Sequence, residues 1–448
     1  MTKFEAYFEG MRGKEVAIVG YGVSNRPIIP FLLAHEARVT VYDKMTVGEL
    51  GEEALADARR GVTFVSGEKY LERADGDVIF RSPGIHPSRF AGKKGKLTSE
   101  AEAFFEVAPC KIIGITGSDG KSTTTTLISK ILDAAGYKTH LGGNIGVPLL
   151  PKVPEMAEED IAVMELSSFQ LMTMSVSPDV AVITNISPNH LDIHKDMDEY
   201  VEAKTNIFRH QTPGGRLVVN LDHPIVSKFE ANPGCVKAGF SLSGIDGGKG
   251  SARLVGNTVY RGEEKIMESD RILIPGRHNV DNYMAAMAAT ADFVGPEAVV
   301  QVAESFGGVV HRLELVREHE GIRYYNSSID SSPSRTNAAL SVFKKKVVVI
   351  LGGYDKQIPF EPLHDPVNEH AAAVVLMGAT SAKISAAIGP ALPRLMADNM
   401  KEAIEMATVL AKEYGSKTVL LSPACASFDK FKNFEERGNI FKALVREL

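Results

Sequence analysis

A glycine- and threonine-rich segment, GITGSDGKSTTTT (114–126), overlaps the end of the apolar run KIIGIT (111–116) and opens a helical pattern. A glycine-rich turn that feeds a helix start aims backbone N–H groups at an anion, so this order suits phosphate. Gly117, Ser118, Asp119 and Gly120 would form the cradle for phosphate, followed by Thr123 in the first helical turn. Lys121 would reach the β- and γ-phosphates, and Ser122 would place a hydroxyl on Mg²⁺. The spacing departs from the common G-x-x-x-x-G-K-[ST] loop, because Ile115 stands where its first glycine would be. The bland alternative is a glycine-rich turn with a surface lysine. The coincidence of strand, turn, Lys-Ser and helix argues against it.

Other residue types could serve the same chemistry. Glu165 lies in the apolar run IAVMEL (161–166), where a parallel sheet presents its ligand-binding edge. Mg²⁺ prefers hard oxygen ligands, so Glu165 suits it together with Ser122 and the phosphates. His190 follows the next apolar run; a lone histidine is more often structural than a ligand. His190 and His194 are four apart, but HLDIH lacks the glutamate of a zinc-protease HExxH. Lys204, taken alone, reads as a solvated helix lysine. Near the start, GYGVSNRP (20–27) looks like a dinucleotide fingerprint whose third glycine is replaced by Asn25, with Asp43 placed for a ribose contact. In the last third, Lys356 supplies a cation after KVVVILGGYD. Ser427 is expected at a helix start, where N–H groups favour an anion. Phe434 could cover an apolar stem.

These residues need strand ends to hold them. Short Val- and Ile-rich runs alternate with helical patterns: EVAIVG (15–20), RVTVYD (38–43), DVIF (77–80), VAVITN (180–185), GRLVVN (215–220), IRYYN (322–326), KVVVILGG (346–353), AAVVLMG (372–378) and KTVLLSP (417–423). Such alternation predicts βαβ units in parallel sheets. Divisions near 105 and 308 give three α/β parts, 1–105, 106–308 and 309–448. The Gly- and Ser-rich stretch 235–265 is expected to be hairpins or loop, and the basic cluster AGKKGK (91–96) a solvated loop. The chain has 448 residues, 44% hydrophobic and 24% charged, with a net charge of -6, which argues against a general nucleic-acid or anionic-membrane binder. Its three cysteines, Cys110, Cys235 and Cys425, are too scattered for a disulfide framework. No apolar run has the length of a signal-peptide core or a membrane span, so the cytoplasm is the expected home.

The motifs GITGSDGKST, GGNIGVPLL (142–150), ELSSFQL (165–171), TNISPNHLDIH (184–194), EAKTNIF (202–208), PGRHNVDN (275–282), HRLE (311–314) and LSPACASFDKFKNFEERGNIF (421–441) follow one another almost to the end of the chain. In type and order they resemble the Mur ligases, which join amino acids to a UDP-linked sugar carboxylate. The last motif is the most specific and looks like the D-glutamate-adding branch. The resemblance implies an α/β fold of three domains: a Rossmann-like N-terminal domain, a central P-loop-type ATPase domain and a Rossmann-like C-terminal domain. It implies an ADP-forming ligase of peptidoglycan precursor synthesis that is a cytoplasmic monomer and serves cell shape and division. Its partners would be UDP-N-acetylmuramoyl-L-alanine, D-glutamate and ATP, with two Mg²⁺ sites and a CO₂-derived carbamate on Lys204.

By the same resemblance, Lys121, His190 and Lys204 would be catalytic, and Ser122, Glu165, His190 and Lys204 would hold metal. Asn279, Asn282, His311, Arg312 and Asp330 would contact the nucleotide. Gly22, Val23, Ser24, Lys44 and Ser82 would bind the uridine diphosphate, and Asn144 and Ser167 further parts of the substrate. Lys356, Ser427 and Phe434 would bind D-glutamate, assisted by Ser331. A lysine accepts CO₂ only as the neutral amine, so Lys204 needs a desolvated, electropositive setting. Two departures stand out. Asn189 occupies a usually acidic place, and Ser327 replaces the aspartate of an Asn-Asp-Ser loop, with Asp330 three residues on as the substitute. A folate polyglutamate ligase shares the central chemistry, but the N-terminal βαβ part and ACASFDKFKNFEERG argue against it. A nicotinamide oxidoreductase would leave the ATP loop unexplained. A non-catalytic nucleotide-binding regulator would need none of Glu165, His190 or Lys204.

Overall fold

Parallel strands read as near-continuous apolar runs because crossover helices cover both faces of their sheet. The computed structural model of the chain describes residues 1–188, 193–355 and 358–448. They pack as two compact units, Met1–Arg271 with Val280–Val302 and Ile272–Asn279 with Ala303–Leu448.

The first unit holds two sheets. In one, β1 (Glu15–Val19), β2 (Arg38–Asp43), β3 (Thr63–Ser66), β4 (Val78–Arg81) and β5 (Lys96–Thr98) run parallel in the order β3-β2-β1-β4-β5. The order reverses at β1, which opens a crevice at the carboxyl ends of β1 and β4. The expected loop at 91–96 ends in this sheet's edge strand: Lys96 opens β5 and pairs with Glu106 at 2.7 Å.

The other sheet comprises β6 (Lys111–Thr116), β7 (Thr139–Gly143), β8 (Ile161–Glu165), β9 (Val180–Ile183), β10 (Arg216–Asn220), β11 (Val236–Ser241), β12 (Ala252–Val255), β13 (Thr258–Arg261) and β14 (Glu264–Glu268). Its order is β14-β13-β12-β11-β10-β9-β6-β8-β7, parallel from β7 to β12. Gly256-Asn257 and Gly262-Glu263 then fold β12, β13 and β14 into an antiparallel ladder, with φ of +64° at Gly256 and +59° at Gly262. The reversal here falls at β6, between β9 and β8. One apolar cluster runs from Phe8 and Phe80 through Phe104 to Met164 and Ile183, so a continuous core underlies both sheets.

In the second unit, β15 (Glu314–His319), β16 (Ile322–Asn326), β17 (Val347–Leu351), β18 (Ala371–Met377), β19 (Arg394–Ala397) and β20 (Thr418–Leu421) take the order β15-β16-β20-β17-β18-β19. Only β15 is antiparallel. The α/β class read from the sequence therefore holds in all three sheets.

Arg437, in the helix Phe434–Glu447, is wholly buried at the carboxyl edge of this sheet. Its guanidinium donates to the carbonyls of Ser328 (2.8 Å), Cys425 (3.0 Å) and Ala426 (3.1 Å), and to Ser328 Oγ (2.9 Å). It ties the loop after β16 to the loop after β20. Arg437→Met should lower stability by about 2–5 kcal/mol, since buried carbonyls would lose their donor at ~1–3 kcal/mol each. Urea unfolding followed by circular dichroism measures this, the chain having no tryptophan; an unchanged midpoint would show that the clamp contributes nothing.

Candidate active site

The glycine-rich loop leaves β6 at the reversal of the central sheet. Gly117 has φ +148°, and a Cβ there would lie 1.9 Å from Thr184 Oγ1. Thr184 Oγ1 donates to the Asp119 carbonyl at 2.6 Å. Asn185 closes the loop, its side-chain oxygen accepting the Asp119 N–H (2.8 Å) and its carbonyl the Ser118 N–H (2.9 Å). Ser118 and Asp119 thus use their N–H groups to shape the loop. Gly120, at φ +79°, is the N-cap of the helix Lys121–Ala134, and no side chain caps that helix start. Its first turn, with Ser122 and Thr123, stays open to an anion. A Cβ on Gly120 would lie 2.4 Å from Asn282 Oδ1, so Asn282 stands directly against the loop. Lys121 Nζ donates to the carbonyls of Gly117 (3.0 Å) and Ser118 (2.9 Å).

Lys204 projects from the helix Met197–Arg209 to the same carbonyl. Its Nζ donates to Gly117 O at 2.8 Å and lies 4.6 Å from the centre of the Tyr200 ring. The Tyr200 hydroxyl in turn meets Ser118 Oγ at 2.9 Å. Lys204 is 1% exposed. Burial, reinforced by the nearby Lys121, pushes its amine down to about 7, against an opposing pull from Glu165 and Asp119. The neutral form that reacts with CO₂ is therefore accessible near neutrality, unlike in a solvated lysine.

Glu165 ends β8, next to β6. It is buried; Asn144 Nδ2 donates to its Oε1 at 2.7 Å, and its Oε2 has no hydrogen-bond partner among the described residues. A buried carboxylate oxygen without a partner is costly unless something binds it. The Glu165 carboxylate and the Ser122 hydroxyl are hard oxygens, the donor type that Mg²⁺ prefers. Ser167 caps the short helix Ser168–Leu171 and donates to Gln170 Oε1 at 2.9 Å. His190 and Asn189 lie outside the described residues.

At the edge of the first sheet, Gly20 has φ +89° and sits against Ser82, whose Cβ lies 2.8 Å from a Cβ built there. The Ile85 N–H closes the expected turn onto Ser82 O at 3.0 Å. Asp43 uses both carboxylate oxygens on backbone, accepting from Tyr21 N–H (2.8 Å) and Met45 N–H (2.9 Å). It therefore joins the loops after β1 and β2. Asn25, in place of the third glycine, donates to Gly20 O (3.1 Å) and Val19 O (3.3 Å). Gly22, Val23 and Ser24 form the turn between, Val23 standing well out from it. Lys44, also exposed, pairs with Glu68 at 3.1 Å.

In the second unit, His311 takes φ +63°, a strained value for a non-glycine residue. Asn326 Nδ2 donates to its Nδ1 at 2.9 Å, which assigns the proton to Nε2. The Phe434 ring packs edge-on against His311 at 5.9 Å. Arg312 is partly buried beside it. Ser327 Oγ accepts the Leu313 N–H at 3.2 Å. Asp330 is buried and accepts from Ser422 Oγ at 2.8 Å; burial raises its carboxyl to about 6. Asn279 Nδ2 donates to Pro275 O at 2.6 Å. Ser331 follows Asp330 in the partly buried loop.

One expectation needs correction. Ser427 does not start a helix. Its carbonyl accepts from Lys430 N–H (3.2 Å) and Phe431 N–H (2.9 Å), closing a turn that goes no further. The helix begins at Phe434 with Asn433 as its cap. Ser427 itself is buried. Lys356 lies outside the described residues.

Sequence reasoning missed Asn185 and Tyr200, which shape the loop, and the buried Arg81 and Arg437. Asn185 could have been found from its place just past the strand beside β6. The conformation of Gly117, open to glycine alone, leads to a prediction: Gly117→Ala adds strain of about 1–3 kcal/mol and displaces Thr184. ATP affinity read by calorimetry should fall roughly a hundredfold, at about 1.4 kcal/mol per decade; an unchanged affinity would refute this reading of the loop.

The sequence pattern of the Mur ligase middle domain matches residues 115–290, and that of the Mur ligase glutamate ligase domain matches residues 311–425. The chain is 45% identical to a UDP-N-acetylmuramoylalanine–D-glutamate ligase of Ruminiclostridium cellulolyticum, over 100% of this chain and 99% of the relative. It is 46% identical to one of Clostridium beijerinckii, over 99% of each. In fold it resembles a UDP-N-acetylmuramate–alanine ligase of Thermotoga maritima, with a TM-score of 0.58 at 16% identity over 97% of this chain and 99% of that one. It also resembles a pseudomurein peptide ligase type C of Methanothermus fervidus, with a TM-score of 0.52 at 18% identity over 97% and 100%. Alike from end to end and carrying both domain patterns in order, the chain belongs to the Mur ligase family.

Proposed function

We propose that the chain joins D-glutamate to the alanine carboxylate of UDP-N-acetylmuramoyl-L-alanine, cleaving ATP to ADP and phosphate, as a cytoplasmic monomer in peptidoglycan precursor synthesis. Cell shape and division depend on that product. The observation that carries this reading is the likeness along the whole chain to relatives named for that reaction. No helix of the described residues is long and apolar enough to cross a membrane.

In this reading three parts serve three substrates. Residues 1–105 take the nucleotide sugar through Gly22, Val23, Ser24, Lys44 and Ser82. Residues 106–308 take ATP on Gly117–Thr123 with Asn279 and Asn282, and Asn144 and Ser167 face the growing product. Residues 309–448 take D-glutamate through Ser331, Lys356, Ser427 and Phe434, with His311, Arg312 and Asp330 on the nucleotide. Ser122, Glu165, His190 and a carbamylated Lys204 would hold two Mg²⁺ ions, which when bound neutralise phosphate charge.

A carboxylate does not accept an amine at neutral pH without activation. The alanine carboxylate attacks the γ-phosphorus of ATP, the bond to ADP breaks, and an acyl phosphate forms. The amine of D-glutamate then attacks the acyl carbon, phosphate leaves with the bonding electron pair, and the nitrogen loses a proton. Lys121 and the open first turn of its helix spread the charge of the transferring phosphoryl group. Lys204, in its neutral form, adds CO₂ at Nζ and releases a proton, so that a neutral amine becomes an oxygen anion beside Glu165.

Two outcomes follow. With ATP, Mg²⁺ and UDP-N-acetylmuramoyl-L-alanine present, D-glutamate should trigger phosphate release. L-glutamate, L-lysine or L-alanine should give under about a hundredth of that rate, the discrimination a polar site achieves when its partners are left unpaired. Equal turnover of L-glutamate would place the chain elsewhere in the family. Carbon-13 NMR with labelled bicarbonate should show a carbamate resonance that is absent in Lys204→Ala. Because the Lys204 amine is pushed down to about 7, the signal should grow as pH rises through that value and fade below it. A signal unchanged by the substitution would remove the carbamate from this lysine.

A further inference from the structure

Arg81 ends β4 and is wholly buried. Its Nη1 donates to the carbonyls of Ile85 (2.7 Å) and Pro83 (3.1 Å), with Ser82 O at 3.4 Å. Its Nη2 donates to Phe169 O (2.6 Å) and Thr173 Oγ1 (3.3 Å) in the central part of the same unit. No carboxylate forms an ion pair with it among the described residues. Glu102 is near enough to favour its charge, but Oε1 of Glu102 is taken by the Ser175 N–H (2.9 Å) and hydroxyl (2.7 Å). Burial lowers the guanidinium to about 10, so it keeps its charge at neutral pH.

A trans peptide is planar, so a carbonyl drawn to one side turns the following N–H to the other. Pro83 O faces Arg81, and the Gly84 N–H therefore faces away from it. No described residue accepts that N–H. The turn is thus held between a buried cation and the open crevice at the ends of β1 and β4, where an N–H directed outward suits an anion. On its far side Arg81 fixes Phe169, whose ring stacks on His194 at 5.3 Å and 9°. Phe169 belongs to the helix Ser168–Leu171, which begins shortly after Glu165.

We infer that Arg81 is a positioning residue for the diphosphate of the nucleotide substrate: it turns the Gly84 N–H toward the phosphates and fixes their turn against the segment that follows Glu165. The inference rests on the nucleotide-sugar reading of the first sheet's edge.

The test compares UDP with uridine, binding each to the whole protein by calorimetry. Wild type binds UDP more tightly. In Arg81→Met, UDP affinity should fall roughly tenfold, the scale of about 1.4 kcal/mol, with uridine affinity unchanged. The Michaelis constant for UDP-N-acetylmuramoyl-L-alanine should rise in step, while those for ATP and D-glutamate stay within about twofold, the ordinary reach of a change with no contact to them. Arg81→Lys keeps the charge but serves only one side of the bridge. It should lie between, and it supplies the reading if the methionine variant does not fold. Equal losses for UDP and uridine would make Arg81 merely structural, and unchanged UDP affinity would remove it from the site. Failure of the wild type to bind UDP would instead overturn the nucleotide-sugar reading, and this inference with it.

Discussion

A buried basic group loses its reach if a carboxylate neutralises it, and dehydration makes its charge costly if nothing solvates it. The protein meets both demands with backbone carbonyls. Lys204 rests on the Gly117 carbonyl, Arg81 on those of Pro83, Ile85 and Phe169, and Arg437 on those of Ser328, Cys425 and Ala426. Except for Phe169, which lies within the short helix Ser168–Leu171 following β8, these carbonyls lie in loops that leave the carboxyl ends of parallel strands. There the ladder stops and C=O groups need donors. The strand edge therefore solvates the charge without cancelling it, and each charge fixes the loop that solvates it.

Neutral and acidic side chains complete the same arrangement. Asp43 joins the loops after β1 and β2, and Asn185 joins those after β6 and β9. Both spend their polar atoms on backbone, whereas the helix that starts at Lys121 has no side-chain cap and Glu165 Oε2 no hydrogen-bond partner among the described residues. Function at these edges is a matter of what the scaffold leaves unsatisfied. Glu165 Oε2 is the clearest instance: it is buried, oriented through its twin oxygen by Asn144, and has no hydrogen-bond partner among the described residues.

Apart from β11, β12 and β13, the apolar runs named all the inner strands, because parallel strands buried on both faces are Val- and Ile-rich. Runs that read poorly became edges or near-edges: KLT at β5, THLGG at β7, ELVREH at β15 and RLMA at β19. A strand with one covered side needs no apolar repeat. The stretch 235–265 was legible as hairpins, but not the parallel β11 that leads into them. At the site, the glycine loop, Glu165 and Lys204 were identifiable by position or resemblance, and the burial that lowers the Lys204 amine was not, since burial is set by distant chain segments. Arg81 and Arg437 were invisible for the same reason, arginine being a surface residue by default. Ser427 misled because a polar residue after a strand looks like a cap, whereas here it closes an isolated turn.

The strand order of the second unit has a consequence for biosynthesis. β20 is the last strand of its sheet to leave the ribosome, yet it lies between β16 and β17. A nascent chain cannot add strands from one side outward. It must hold the hairpin β15–β16 and the trio β17–β19 apart, each showing an unpaired inner edge, until the central strand arrives. Unpaired edges template aggregation, and at about 5–20 residues per second the wait lasts several seconds. A polypeptide stalled or clipped before residue 418 therefore carries two half-sheets with unpaired inner edges rather than a slightly shortened sheet.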